Sequence, residues 1–98
     1  GETWLSGYYN ASDTIKTNVA VSLRDSRHFN VVVGSYGGAG GVNFMGTKTI
    51  YETESAASYA LMSFENEAPY FQLRITNNHI NDDTVITRLY KRQVRHLA

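Results

Sequence analysis

The feature that most limits what this chain can fold into is the strict two-residue alternation between Thr14 and Leu23. Ile15, Thr17, Val19, Val21 and Leu23 alternate there with Lys16, Asn18, Ala20 and Ser22. Successive side chains of a strand point to opposite faces, so extended backbone gathers the first set on one face, whereas a helix would scatter it around the cylinder. The period returns at Phe29, Val31 and Val33. Val32 adds an apolar residue to the opposite face, so the strand Phe29–Tyr36 is expected to be covered on both sides. Between these two strands, Arg24-Asp25-Ser26-Arg27 reads as a turn, because short polar side chains bond to their own backbone there.

The remaining segments follow the same grammar. Gly37-Gly38-Ala39-Gly40-Gly41 has little to bury and a high entropic cost of ordering, which makes it a loop. Strand-like stretches resume at Val42–Met45 and Thr47–Thr53, and Glu54–Ala57 connects them to the next element. Tyr59–Phe64 is apolar with little relief and reads as a buried strand; a short helix from Ser55 is the alternative for a run of this length. Asn66-Glu67-Ala68-Pro69 is a turn, with the only proline where a strand would begin. Phe71, Leu73 and Ile75 then alternate with Gln72, Arg74 and Thr76, a polar connection covers Asn77–Asp83, and Thr84–Arg92 is the last strand. Six or seven strands without an amphipathic helix predict an all-β chain, an antiparallel β-sandwich or a jelly-roll-like unit.

At 98 residues the chain holds one core and therefore one domain, residues 1–98. Nine basic and nine acidic residues cancel, which argues against a dedicated nucleic-acid or anionic-membrane binder, since both rest on clustered positive charge. The absence of cysteine excludes disulfide scaffolds, Cys-ligated metals and thiol chemistry. No apolar run approaches the length of a membrane-spanning helix, and GETWLSGYYN lacks the charged-then-apolar pattern of a signal sequence. The charge is nevertheless uneven. Residues 49–73 hold Glu52, Glu54, Glu65 and Glu67 with no basic residue, whereas residues 74–98 hold Arg74, Arg88, Lys91, Arg92 and Arg95 against Asp82 and Asp83. Such regions can pair within a chain or between copies.

Several patterns approach a catalytic motif and miss it. Gly41–Thr49, GVNFMGTKT, is close to a phosphate-binding loop, but Thr47 intrudes before Lys48 and the strand formers Ile50 and Tyr51 follow where a helix is needed. Asp25, Ser26 and His28 are the residue types of a hydrolase triad, crowded into four positions that prevent base and nucleophile from facing each other. Glu52 and Glu54 would share a strand face about 6.6 Å apart, near the lower end for the carboxyls of an inverting glycosidase. Nothing in the sequence supplies them with a cleft. His28, His79 and His96 have no metal-ligand spacing, and Lys91, Arg92, Arg95 and His96 make only a short basic tail. Asn10-Ala11-Ser12 matches a glycosylation sequon.

What remains is an aromatic supply of one Trp, seven Tyr and four Phe. Phe29, Phe64 and Phe71 sit in apolar strands and are assigned to the core. Tyr8, Tyr9, Tyr36 and Tyr70 flank loops or strand ends, where a flat apolar face with a hydroxyl suits sugar rings and protein interfaces.

Along most of its length the chain resembles the small C-terminal receptor-binding domains of bacteriophage tail fibres. The likeness is carried by Trp4-Leu5-Ser6-Gly7, by the turn holding Leu23, Asp25, Ser26 and Phe29, by Val31, Val33 and Gly34 leading into Gly37–Gly41, and by the terminal Ile86–Tyr90. The resemblance implies a homotrimeric tip on a longer fibre chain, carried on the virion and attached to a bacterial surface glycan or outer-membrane protein, with no catalysis and no cofactor. The histidine pairs that hold metal in some fibre tips have no counterpart here, so no metal site is carried over. Up-and-down strands would place the loops at 10–13, 37–43 and 66–68 at one end. Asn10, Ser12, Asp13, Asn43, Asn66 and Glu67 would gather there beside Tyr36 and Tyr70, a set of hydrogen-bonding and stacking groups suited to carbohydrate. The competing readings are a self-associating structural protein, a free-standing lectin, and a small hydrolase using Glu52 and Glu54 or a histidine.

Overall fold

The computed structural model describes residues 3–12, 14–53, 55–77 and 86–95. The strands are β1 (Thr3–Asn10), β2 (Thr14–Arg27), β3 (Phe29–Tyr36), β4 (Phe44–Glu52), β5 (Ala57–Glu65), β6 (Tyr70–Asn77) and β7 (Ile86–Arg95), with one short 3-10 turn at Ala39–Gly41. They form a four-stranded sheet in the order β1-β6-β3-β4 and a three-stranded sheet in the order β5-β2-β7, with antiparallel pairing throughout. The chain is all-β and a sandwich. Only β3 and β4 are consecutive neighbours within one sheet, so every other connection crosses between the sheets.

The alternation predicted for β2 builds half of the core. Thr17, Val19, Val21 and Leu23 are buried on its inner face, opposite Phe29, Val31 and Val33 of β3 and Phe71, Leu73 and Ile75 of β6. Ala60 and Phe64 of β5 complete the cluster, and the Phe64 and Phe71 rings meet edge to face at 5.1 Å. Edge-to-face contact aligns the positive rim of one ring with the negative face of the other. Phe29, Phe64 and Phe71 are core residues, as their apolar strands imply.

Several elements differ from what local sequence suggests. Arg24–Arg27 is not a turn: β2 runs on to Arg27, which still pairs with Ala57 of β5 after an irregularity between Ser22 and Arg27. The polar side chains need no turn because this stretch lies at the margin of the sheet, where Arg24 and Ser26 are exposed. Tyr59–Phe64 is neither helical nor a buried strand. As part of an edge strand it buries only Ala60 and Phe64, and it exposes Tyr59 and Leu61. The two stretches Val42–Met45 and Thr47–Thr53 are one strand, β4, whose register shifts absorb the extra residues. β1 has no alternation to announce it, because a bulge at Ser6 and Gly7 breaks its period.

That bulge is chemically complete. One extra residue in β1 removes a ladder acceptor, and the Ser6 hydroxyl replaces it by accepting the Leu73 N–H at 2.8 Å while donating to the Gly7 carbonyl at 2.7 Å. The Ser6 carbonyl accepts from the Gln72 side-chain amide at 2.9 Å. These buried backbone groups are therefore satisfied without a regular ladder.

Candidate functional site at the loop end of the sandwich

The registers place three loops at one end. Across the four-stranded sheet, Tyr70 pairs with both Asn10 and Tyr36, and Tyr36 pairs with Phe44, so β1 and β3 end where β4 and β6 begin. In the other sheet Lys16 pairs with Glu65 and Thr14 with Arg95, so β2 begins where β5 and β7 end. Strand direction thus alternates along the whole chain, although the connections switch sheets. The Ala11 N–H donates to the Pro69 carbonyl at 2.6 Å, and the Asn66 N–H donates to the Ile15 carbonyl at 2.9 Å. The loops after β1 and after β5 are therefore joined by backbone.

These two loops enclose a shallow hollow of about 260 Å³ lined by Ala11, Ser12, Thr14 and the segment Asn66–Pro69. The Asn66 side-chain oxygen accepts from the Thr17 hydroxyl at 3.0 Å, whereas its amide nitrogen is buried with no hydrogen-bond partner. An unpaired buried donor is costly, so this amide is a local point of strain beneath the hollow. Asn10 and Ser12 are mutually engaged: the Asn10 side-chain oxygen accepts from the Ser12 N–H at 2.9 Å and from its hydroxyl at 2.7 Å. Glu67 lies 3.7 Å from the Lys48 ammonium, with both side chains well exposed. Asp13 lies outside the described residues.

The third loop folds onto the outer face of the four-stranded sheet. The Gly37 and Gly38 N–H groups donate to the Asn43 and Val42 carbonyls at 2.8 and 3.0 Å, and Asn43 closes the turn at a left-handed φ of 59°. Gly41, at φ 84°, packs against Tyr8 so closely that a Cβ would sit 2.6 Å from the tyrosine hydroxyl. The β1 bulge is what turns Tyr8 to this face, in register with Gln72. A second register shift, between Ser35 and Tyr36, places Phe44 beside Tyr36. Tyr36 itself is only 5% exposed, held edge-to-face by Tyr8 at 5.1 Å and flanked by Phe44 at 5.5 Å. It is a support for the surface and not a contact offered by it.

The exposed members of the cluster are Tyr8 at 43% and Phe44 at 59%, with Met45 and Val42 beside them. Arg74 completes it. Its Nη2 donates to the Tyr36 hydroxyl at 2.7 Å, and its guanidinium carbon stands 5.8 Å from the Phe44 ring centre. Gly34 makes room: a Cβ there would lie 3.1 Å from Nη2 of Arg74 and 3.3 Å from the Tyr36 ring. A glycine within a valine-rich strand weakens it and marks a close approach, here that of a guanidinium laid over the backbone. Of the residues expected at the site, Asn10, Ser12, Asn43, Asn66, Glu67 and Tyr70 are at this end, with Tyr36 beneath the surface. Phe44 and Arg74 were not among them. The signals that point to them are Gly34 within its strand and a lone arginine between Leu73 and Ile75.

The other candidates lie elsewhere. Ser26 and His28 flank the β2–β3 corner at the opposite end, and Glu52 pairs with Asn30 there. Glu54, His79, His96, Asp82 and Asp83 lie outside the described residues. Thr49–Tyr51 are strand, so the GVNFMGTKT segment lacks the helix a phosphate loop requires. Among the described residues, no three His, Cys, Asp or Glu side chains group closely enough to hold a metal ion. Comparison with known proteins finds no matching family model, no matching curated protein and no matching solved structure.

Proposed function

We propose that this domain is a non-catalytic adhesion module that binds a cell-surface glycan through the loop end of its sandwich. The observation that carries the reading is that Tyr8 and Phe44, both packed on the covered Tyr36, are exposed beside the Arg74 guanidinium on the sheet face opposite the core. Sugar rings are held by stacking on aromatic faces together with several directed hydrogen bonds. In line with the resemblance described above, the setting proposed is the tip of a tail fibre, assembled as a homotrimer and attached to a bacterial surface.

The test is binding of the labelled domain to bacterial cells before and after enzymatic removal of surface polysaccharide. Loss of binding after that treatment supports a glycan receptor. Retention after it, with loss after surface proteolysis, would replace the glycan by an outer-membrane protein. Light scattering is expected to give three times the chain mass, and a monomer at micromolar concentration would contradict the fibre-tip setting. The exposed Tyr59 and Leu61 on edge strand β5 favour self-association as a second property, because apolar open edges invite pairing.

A further inference from the structure

We propose that the ligand of this surface is an acidic saccharide, whose carboxylate sits on the Arg74 guanidinium while its ring lies on Phe44 and Tyr8. The proposal rests on the glycan-binding reading and specifies its chemistry. Among the described residues no carboxylate pairs with Arg74. Its contacts are the Tyr36 hydroxyl and the Phe44 ring, both uncharged, and its Nε is buried with no hydrogen-bond partner. A half-buried guanidinium without a counter-ion has lost part of its hydration and gained no opposite charge in return. An incoming anion supplies the missing opposite charge; the enclosed Nε is not its point of contact.

Position argues the same way. The side chain is held by a hydrogen bond to a buried tyrosine and by the gap at Gly34, so it is fixed before any ligand arrives. Pre-organisation of this kind reduces the ordering cost of binding. A surface arginine kept only for solubility needs neither a glycine beneath it nor a buried hydroxyl to orient it. The neighbouring aromatics select the rest of the ligand. One cation beside the exposed Phe44 ring, with Tyr8 exposed on the same buried Tyr36, matches a sugar ring bearing a single carboxylate, because the planar guanidinium fork suits a carboxylate and the rings suit the apolar face of a pyranose. A polyanion would call for several basic groups, and among the residues in contact here Arg74 is the only cation.

The experiment uses the full chain and a panel of hexuronic-acid and sialic-acid oligosaccharides, each paired with its carboxyl-reduced, neutral counterpart, plus sugar phosphates of equal size. Calorimetry is expected to show at least one acidic member bound about tenfold or more tightly than its reduced partner, the range of a charge-assisted hydrogen bond. Arg74→Gln should bring the acidic form down to the affinity of the neutral one and leave the neutral one unchanged. Phe44→Ala, at an exposed position, should weaken both forms equally and keeps the test open if Arg74→Gln does not fold. Equal affinity for acidic and reduced forms overturns the acidic specificity and leaves glycan binding standing. Equal or tighter binding of the sugar phosphates overturns the carboxylate assignment. If cell binding survives polysaccharide removal and no member of the panel binds, the glycan reading falls as well.

Discussion

Strands β3 and β6 carry two different chemistries on their two faces. Inward, Val31, Val33, Leu73 and Ile75 meet one another and β2 with almost no exposure. Outward, the same strands present Val32, Gly34, Tyr36, Gln72 and Arg74, where one half-buried valine remains among a ring, an amide, a guanidinium and a glycine. The inner face is closed, its apolar groups packed on one another. The outer face is mixed: Gly34, Tyr36 and Gln72 are covered, Arg74 is half-buried without an opposite charge, and Phe44 of the neighbouring β4 keeps an exposed ring. The contrast shows how a small sandwich builds a rigid site without a second domain. The site residues inherit the stiffness of the core because they alternate with core residues along one backbone.

If the two faces are distinct in this way, substitutions should divide cleanly between stability and binding. The largest effect on stability is expected at Leu73→Ala, which removes a fully buried side chain. It should cost about 2–5 kcal/mol in denaturant unfolding, enough to threaten the fold of a domain this size. Next comes Ser6→Ala, which strips the Leu73 N–H of its acceptor and should cost about 1–3 kcal/mol by the same measurement. Tyr36→Phe keeps the ring stack and deletes only the acceptor for Arg74, for about 1 kcal/mol of stability and a loss of ligand affinity. The smallest change in stability, within about 0.5 kcal/mol, is expected at Phe44→Ala, where the ring is mostly in solvent. That variant should nevertheless lose cell attachment. Substantial unfolding by Phe44→Ala, or normal attachment by it, would erase the distinction between the faces.

The inner face was legible in the sequence and most of the outer face was not. Thr17–Leu23 and Phe71–Thr76 alternate without interruption, so their core residues could be read directly. The same is true of Phe29, Val31 and Val33. Ile15, in step with Thr17–Leu23 in the sequence, is instead 43% exposed, beside a register irregularity between Thr14 and Lys16. The one-end clustering of the three loops also followed from the strand count, since alternating direction survives even when connections change sheets. Phe44 escaped because it reaches the outer face through a register shift at Met45 in β4, and Tyr8, singled out only as a tyrosine beside a loop, reaches that face through the shift at Ser6-Gly7 in β1. A bulge adds one residue and reverses the facing of everything beyond it, and no local pattern reports that. Tyr36 failed as a contact for a related reason. A tyrosine at the end of a strand reads as exposed, and only the folding of the glycine loop against Tyr8 shows that the cluster around Tyr36 closes over it. The polar stretch Arg24–Arg27 was misread because composition describes solvent exposure, which a strand margin and a turn have in common.

The central claim is that the outer face of the four-stranded sheet, and not its far end, receives the ligand. Amide chemical-shift mapping during titration with the acidic oligosaccharide tests it most directly. The account predicts shifts concentrated at Gly34, Tyr36, Gly37–Phe44 and Arg74, with Arg24–His28 and Glu52 unmoved. Shifts gathered around Arg24–His28 and Glu52, with the Gly34–Arg74 surface silent, would contradict it.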